Sequence, residues 1–228
     1  MNIHHYIVSG PDETREPYLR EYFNKFGLDD KDITWLKGNN KNDLTDEFIN
    51  TICDTHNNQL ERKITKGEIS CTYKHYLALQ DIVQNEREYA VIMEDDVNFK
   101  DYIQSRLNSY LEELNTYYPN WNVLFDGDIN TYYGKTGEYD EDMILEYKKV
   151  YNKTTKDRSA EKKLHGATRG ANYYLINLKT AKMLLDNFLP FDRVIDHYYN
   201  KMFRDFNLKI YWAIPPFVHK LRRQSTAK

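Results

Sequence analysis

The feature that most constrains this chain is Tyr89-Ala90-Val91-Ile92-Met93-Glu94-Asp95-Asp96-Val97, an apolar run that stops at three adjacent carboxylates. A short continuous apolar run reads as a buried strand, and helical patterns stand on both sides of it. Strands and helices alternating in this way specify an α/β layered domain rather than a bundle or a sandwich. In open α/β sheets ligands collect beyond the carboxyl ends of the strands, which is where Glu94, Asp95 and Asp96 stand. Clustered acids repel one another, and a divalent cation would compensate them; acids that merely form a soluble turn are the plainer reading. On an extended backbone Glu94 and Asp96 share one side while Asp95 faces the other. Hard oxygen donors so arranged suit magnesium or manganese.

The flanking sequence supplies the remaining layers. Ile3 to Ser9 reads as a strand, followed by a helix with Pro17 near its first turn and Gly27 past its last. Ile33 to Leu36 is a second strand, and Leu44 to Cys53 a short helix capped by Thr45. A longer helix starts at Lys66-Gly67-Glu68, with Ile69, Tyr73, Tyr76, Leu77, Gln80 and Val83 expected on its apolar face. Beyond the acids, Ile103, Leu107, Tyr110, Leu111 and Leu114 mark another helix that stops before Pro119. Asn122 to Phe125 is a strand ending in a second acidic pair, Asp126-Gly127-Asp128. Residues 131–163 lack periodicity and read as a long loop or insertion. Ala171 to Asn177, Lys179 to Phe188, Arg193 to Phe206 and Lys209 to Ala213 complete the pattern as strand, helix, helix and strand. Residues 220–228 read as a solvated basic tail.

At 228 residues the chain suits one domain, 1–228, with a full core. A formal net charge of -3 gives no basic field to attract nucleic acid or an anionic membrane. No segment approaches the roughly 20 apolar residues of a membrane span, and the start has no charged leader, so a soluble cytoplasmic protein is expected. Cys53 and Cys71 have neither zinc nor redox spacing, and Cys71 is expected as a small buried hydrophobe on its helix. The 20 tyrosines could stack on carbohydrate, although compositional bias is the simpler account.

Several segments together carry a family resemblance. They are Lys66-Gly67-Glu68-Ile69-Ser70-Cys71 with Lys74-His75, the acidic run Tyr89 to Val97, Gly170 to Leu185, Ile195-Asp196-His197, and Leu208 to Trp212 with Pro215-Pro216. In this order and spacing they resemble glycosyltransferase family 25, the lipopolysaccharide-biosynthesis and collagen-galactosyltransferase group. Two places depart from it. The family's Asn-Leu strand end with an arginine-bearing turn is here Val8-Ser9-Gly10-Pro11-Asp12-Glu13-Thr14-Arg15, and the turn after Phe125 carries the additional acids Asp126 and Asp128.

The resemblance implies a single GT-A type (Rossmann-like) nucleotide-sugar-binding domain, with a mixed central sheet flanked by helices. It further implies transfer of a hexose, galactose or glucose, from a UDP-sugar to a hydroxyl of a glycan or protein acceptor, with inversion. On that reading Glu94 and Asp96 hold Mn2+ or Mg2+, and His219 is a further ligand. Asp95 orients ribose or sugar hydroxyls, Glu68 and His75 line the donor pocket, and Asp196 is the general base. Plainer alternatives stand beside these: a surface histidine for His219, a first-turn helix charge for Glu68, and a helix-surface aspartate for Asp196. The competing function is a catalytically inactive glycan- or nucleotide-sugar-binding module of the same fold. Nucleic-acid binding lacks any recognisable motif.

Overall fold

The computed structural model describes residues 3–10, 12, 14–55, 62–99, 102–126, 145–148, 170–213 and 216–220, with 145–148 and 219–220 as backbone. In chain order the elements are β1 (His4–Val8), α1 (Arg15–Lys25), β2 (Ile33–Leu36), α2 (Asp46–Ile52), α3 (Lys66–Gln84), β3 (Tyr89–Glu94), β4 (Val97–Phe99), α4 (Ile103–Tyr117) and β5 (Val123–Phe125). They continue with β6 (Leu145–Lys148), β7 (Tyr173–Asn177), α5 (Leu178–Asp186), α6 (Ile195–Asp205), β8 (Ile210–Ala213) and β9 (Val218–Lys220). The mixed sheet flanked by helices is the expected architecture.

Seven strands lie in the order β2-β1-β3-β7-β5-β8-β6. β1 is parallel to β2 and β3, β7 is antiparallel to β3 and β5, β5 is parallel to β8, and β6 is antiparallel to β8. The carboxyl ends of β1, β2, β3, β5 and β8 therefore share one edge, and β7 begins there. Strand alternation explains why the apolar runs are unbroken. Val8, Ala90, Ile92, Tyr174 and Phe125 face α2, α3, α5 and α6, while Ile7, Val91, Met93, Leu175 and Leu124 face α1 and α4. With both faces covered, polar alternation would have placed charge in a core. No helix among the described residues is long and apolar enough to cross a membrane.

Three expectations need correction. The buried face of α3 is not the one its hydrophobic spacing marks: Ile69, Thr72, Lys74, His75, Ala78, Leu79 and Ile82 are buried, while Tyr73, Tyr76, Leu77 and Val83 pack at the margin. Polar residues can occupy the inner face when each finds a hydrogen-bond partner, and periodicity alone ranks them outside. The 131–163 segment is not wholly loop, because β6 pairs with β8 from Leu145↔Ala213 to Lys148↔Ile210. The rest of that segment, and Asp128, lie outside the described residues. Finally, Lys220 belongs to a strand rather than the tail: β9 pairs antiparallel with β4, and 221–228 lie outside the described residues.

Candidate functional site

β3 ends at Glu94, and Asp95-Asp96 form the turn into β4. The backbone fixes this tip from both sides, since Glu94 N donates to Asn172 O (2.9 Å) and Asp95 N donates to Val8 O (3.2 Å). Glu94 follows Ala90 and Ile92 on the α3 side of the sheet, whereas Asp95 follows Val91 and Met93 toward α1. Glu94 and Asp96 are both half-buried at the edge where five strands end.

Asp95 is only 7% exposed and already compensated. Arg15 Nη1 lies 2.9 Å from its Oδ1, Arg15 Nη2 donates to its carbonyl (3.1 Å), and Gly10 N donates to its Oδ2 (2.8 Å). Burial pushes its carboxyl up, while the Gly10 amide, Arg15 and Lys74 pull it back. Asp95, expected to orient ribose or sugar hydroxyls, is thus the pin that joins the β3 tip to the β1 turn and to the start of α1. Glu94 and Asp96, on either side of it, are both half-buried. Lys74, 2% exposed, braces the same corner by donating to Ser9 O (2.6 Å) and Asn40 Oδ1 (2.7 Å). Desolvation pulls its ammonium down.

His75 is 0% exposed beneath the tip. Its Nδ1 is 2.9 Å from Tyr174 Oη, which is 2.5 Å from Tyr199 Oη. This buried chain links α3, β7 and α6. Desolvation lowers the His75 pKa to about 3, so the ring is neutral. Nε2 is buried and finds no hydrogen-bond partner among the described residues. Cys71, expected as buried, is half-exposed, and its Sγ, a His75 ring nitrogen and a Glu94 oxygen all lie within 4.8 Å of one another. His75 is therefore packed inside the fold next to Glu94.

Glu68 closes the capping box of α3: its carboxylate accepts from Thr65 N (2.9 Å), and Thr65 Oγ1 accepts from Glu68 N (3.3 Å). It also pairs with Arg62, whose Nη1 donates at 2.8 Å, and that guanidinium holds its carboxyl at about 2. Its partners give it the first-turn helix role. Asp196 sits half-buried in the first turn of α6, with its Oδ1 accepting from His197 N (2.9 Å). Because α6 leads back into β8, its first turn lies toward the carboxyl edge. The ladder sets the His219 backbone opposite Asn98, two residues beyond Asp96.

That ladder is anchored by Asp126, which directly follows β5 and is 1% exposed. Oδ1 accepts from Phe217 N (3.0 Å) and Val218 N (3.2 Å), and Oδ2 accepts from Tyr110 Oη (3.0 Å). Desolvation raises its pKa to about 7 against those three donors. Asp126 is therefore an anchor and not a turn residue alone. Sequence reasoning missed Arg15, Lys74, Tyr174 and Tyr199. The available signal was Lys74-His75 on a helix whose other inner positions carry only small polar or apolar side chains. A shallow hollow of about 670 Å³, lined by Leu178, Lys179, Lys182, Met183, Asp186 and Asn187, lies along α5. That helix begins where β7 ends, at the opposite edge from the acids.

The carboxylates of Glu94 and Asp96 at the carboxyl edge are hard oxygen donors of the kind that fits magnesium or manganese. A Rattus norvegicus protein named probable inactive glycosyltransferase 25 family member 3 is 33% identical over 66 residues, 29% of this chain and 12% of its own length. Procollagen galactosyltransferase 1-A of Xenopus laevis is 26% identical over 96 residues, 42% of this chain and 16% of its own. The chain thus matches only a small part of these longer relatives. A crystal structure of a glycosyltransferase involved in glycosylation of the major capsid of PBCV-1 aligns over 97% of this chain and 95% of its own, at 9% identity and a TM-score of 0.47. The sequence model described as glycosyltransferase family 25 (LPS biosynthesis protein) matches residues 2–199, and this chain belongs to that family.

Proposed function

We propose that this protein transfers a hexose, galactose or glucose, from a UDP-sugar to a hydroxyl of a glycan or protein acceptor, with inversion and with help from Mn2+ or Mg2+. The observation that carries the reading is the pair of half-buried carboxylates, Glu94 and Asp96, at the edge where β1, β3, β5 and β8 all end. Glu94 and Asp96 would hold the ion, with His219, whose backbone pairs with Asn98, as the third ligand of this reading. A divalent ion at this place offsets the charge that accumulates on a departing nucleoside diphosphate. Asp95, clamped by Arg15 and Gly10, keeps the acidic turn in one conformation. Asp196 accepts the acceptor's proton as the new bond to the anomeric carbon forms and the bond to UDP breaks on the opposite face. A single displacement of this kind inverts the centre.

The test is UDP release from UDP-galactose and UDP-glucose with manganese, with and without a hydroxyl acceptor. Asp96→Ala is expected to abolish release. Asp196→Asn should fold and bind UDP yet lose transfer by about 10²–10⁴-fold, the usual contribution of a general base. Undiminished turnover in either variant would remove that residue from the mechanism. A second reading, a module that binds nucleotide sugar without turnover, is favoured by the name of the Rattus norvegicus relative, which carries the word inactive. It predicts UDP binding by the wild-type chain with no release of UDP from any donor.

A further inference from the structure

Beneath the acidic tip, Cys71, His75 and Glu94 bring three ligand atoms of different chemistry within 4.8 Å of one another. Cys71 and His75 stand four residues apart on one face of α3, and Glu94 ends the strand packed against that face. Thiol and imidazole are an unusual pair to assemble beside a carboxylate in a sheet edge otherwise furnished with oxygen donors. The second observation is independent of the cluster: the fully buried His75 keeps Nε2 without a hydrogen-bond partner among the described residues. A buried polar atom left unsatisfied costs about 1–3 kcal/mol, a cost that coordination of a cation by Nε2 would remove.

We propose that Cys71, His75 and Glu94 form a binding site for a zinc-class divalent cation, distinct in chemistry from the magnesium or manganese position at Asp96. The rest of the local structure suits such a site. A metal-binding imidazole normally has its other nitrogen held by a hydrogen-bond partner, and Tyr174 Oη, itself backed by Tyr199, holds Nδ1. Burial keeps the ring neutral, the form that donates to metals. Ligand atoms around a tetrahedral zinc ion are roughly 3.5 Å apart, so closure needs about 1 Å of contraction. Cys71 and Glu94, both half-exposed, can supply it by side-chain rotation. Binding deprotonates the Cys71 thiol and releases that proton to solvent. Three protein ligands leave the fourth position to water. Thiolate and imidazole select zinc over magnesium, calcium or manganese, and a carboxylate has a second oxygen with which Glu94 can still serve the neighbouring position.

The site is tested on the full chain stripped of metal with a chelator, using Zn2+ alone and Co2+ alone as probes. Wild-type protein should take up stoichiometric zinc in competition with a chromophoric chelator, and Cys71→Ser and His75→Gln should each bind at least about 100-fold more weakly. Cobalt should give a thiolate-to-metal charge-transfer band in the wild type that disappears in Cys71→Ser. Asp96→Ala should retain both zinc affinity and the cobalt band, which separates this site from the donor-binding position. Cys53 does not confuse the readout, because burial pushes its thiol up to about 11. The proposal is overturned if the wild type shows no thiolate–cobalt band or binds zinc no more tightly than Cys71→Ser. Should His75→Gln fail to fold, the wild-type cobalt spectrum and the half-exposed Cys71→Ser variant decide the matter.

Discussion

Asp126 shows how much one carboxylate can organise when water cannot reach it. Desolvation raises its pKa from the usual 3.8 to about 7 even though two backbone amides and a tyrosine donate to it. The folded state therefore holds the proton more tightly than the unfolded chain does. Its stabilising contribution is complete below about pH 4, declines as pH rises, and is gone above about pH 7, a swing of up to a few kcal/mol. Urea unfolding of the wild type and Asp126→Asn at pH 4.5 and 7.5 isolates this effect, because every other acid is common to both. The wild type should lose stability relative to the variant between the two pH values; an equal change in both would show that Asp126 does not titrate in this window. The sequence marks Asp126 as an acid at a strand end. Its amide partners lie 91 and 92 residues further on, and no local pattern carries that information.

Among the elements, α3 has the most to hold in place, since Lys74, His75 and Cys71 all hang from it. Its first turn is fixed by the Thr65 and Glu68 capping box, reinforced by Arg62. Replacing Thr65→Ala should cost about 1 kcal/mol and lower the melting temperature by about 2–4 °C, measurable by calorimetry. A melting point unchanged within error would mean that the cap is redundant with the tertiary packing of the helix. The start of α3 was legible in Lys66-Gly67-Glu68, because capping is local chemistry. Its inner face was not, because Lys74 and His75 are buried through partners on the turn after β1, on β7 and on the loop containing Asn40, all remote in sequence. β6 escaped notice for the same reason: its pairing with β8 is a tertiary event with little signature within four residues. Short β4 and β9 likewise define each other.

For the whole molecule, the strand order decides where chemistry can occur. Five strands ending at one edge, with β7 entering there, gather Gly10, Glu94 to Asp96, Asp126 and Asn172 from segments scattered through the chain. If this edge binds UDP together with manganese, the pair at about 100 times the dissociation constant should add about 2.7 kcal/mol and raise the melting temperature by roughly 5–10 °C. Neither component alone should do so, and Asp96→Ala should erase the shift; an equal shift without metal would disconnect the acids from the nucleotide. The alternating pattern and the acidic strand end disclosed this layout from sequence, whereas the closing ribbon of β4 and β9 did not. That ribbon joins residues 97–99 to 218–220. During synthesis, a nascent polypeptide halted by the ribosome before Val218 would already carry its acids yet lack the flap of backbone beside them, so maturation of the edge must await a segment about 120 residues downstream of the acids.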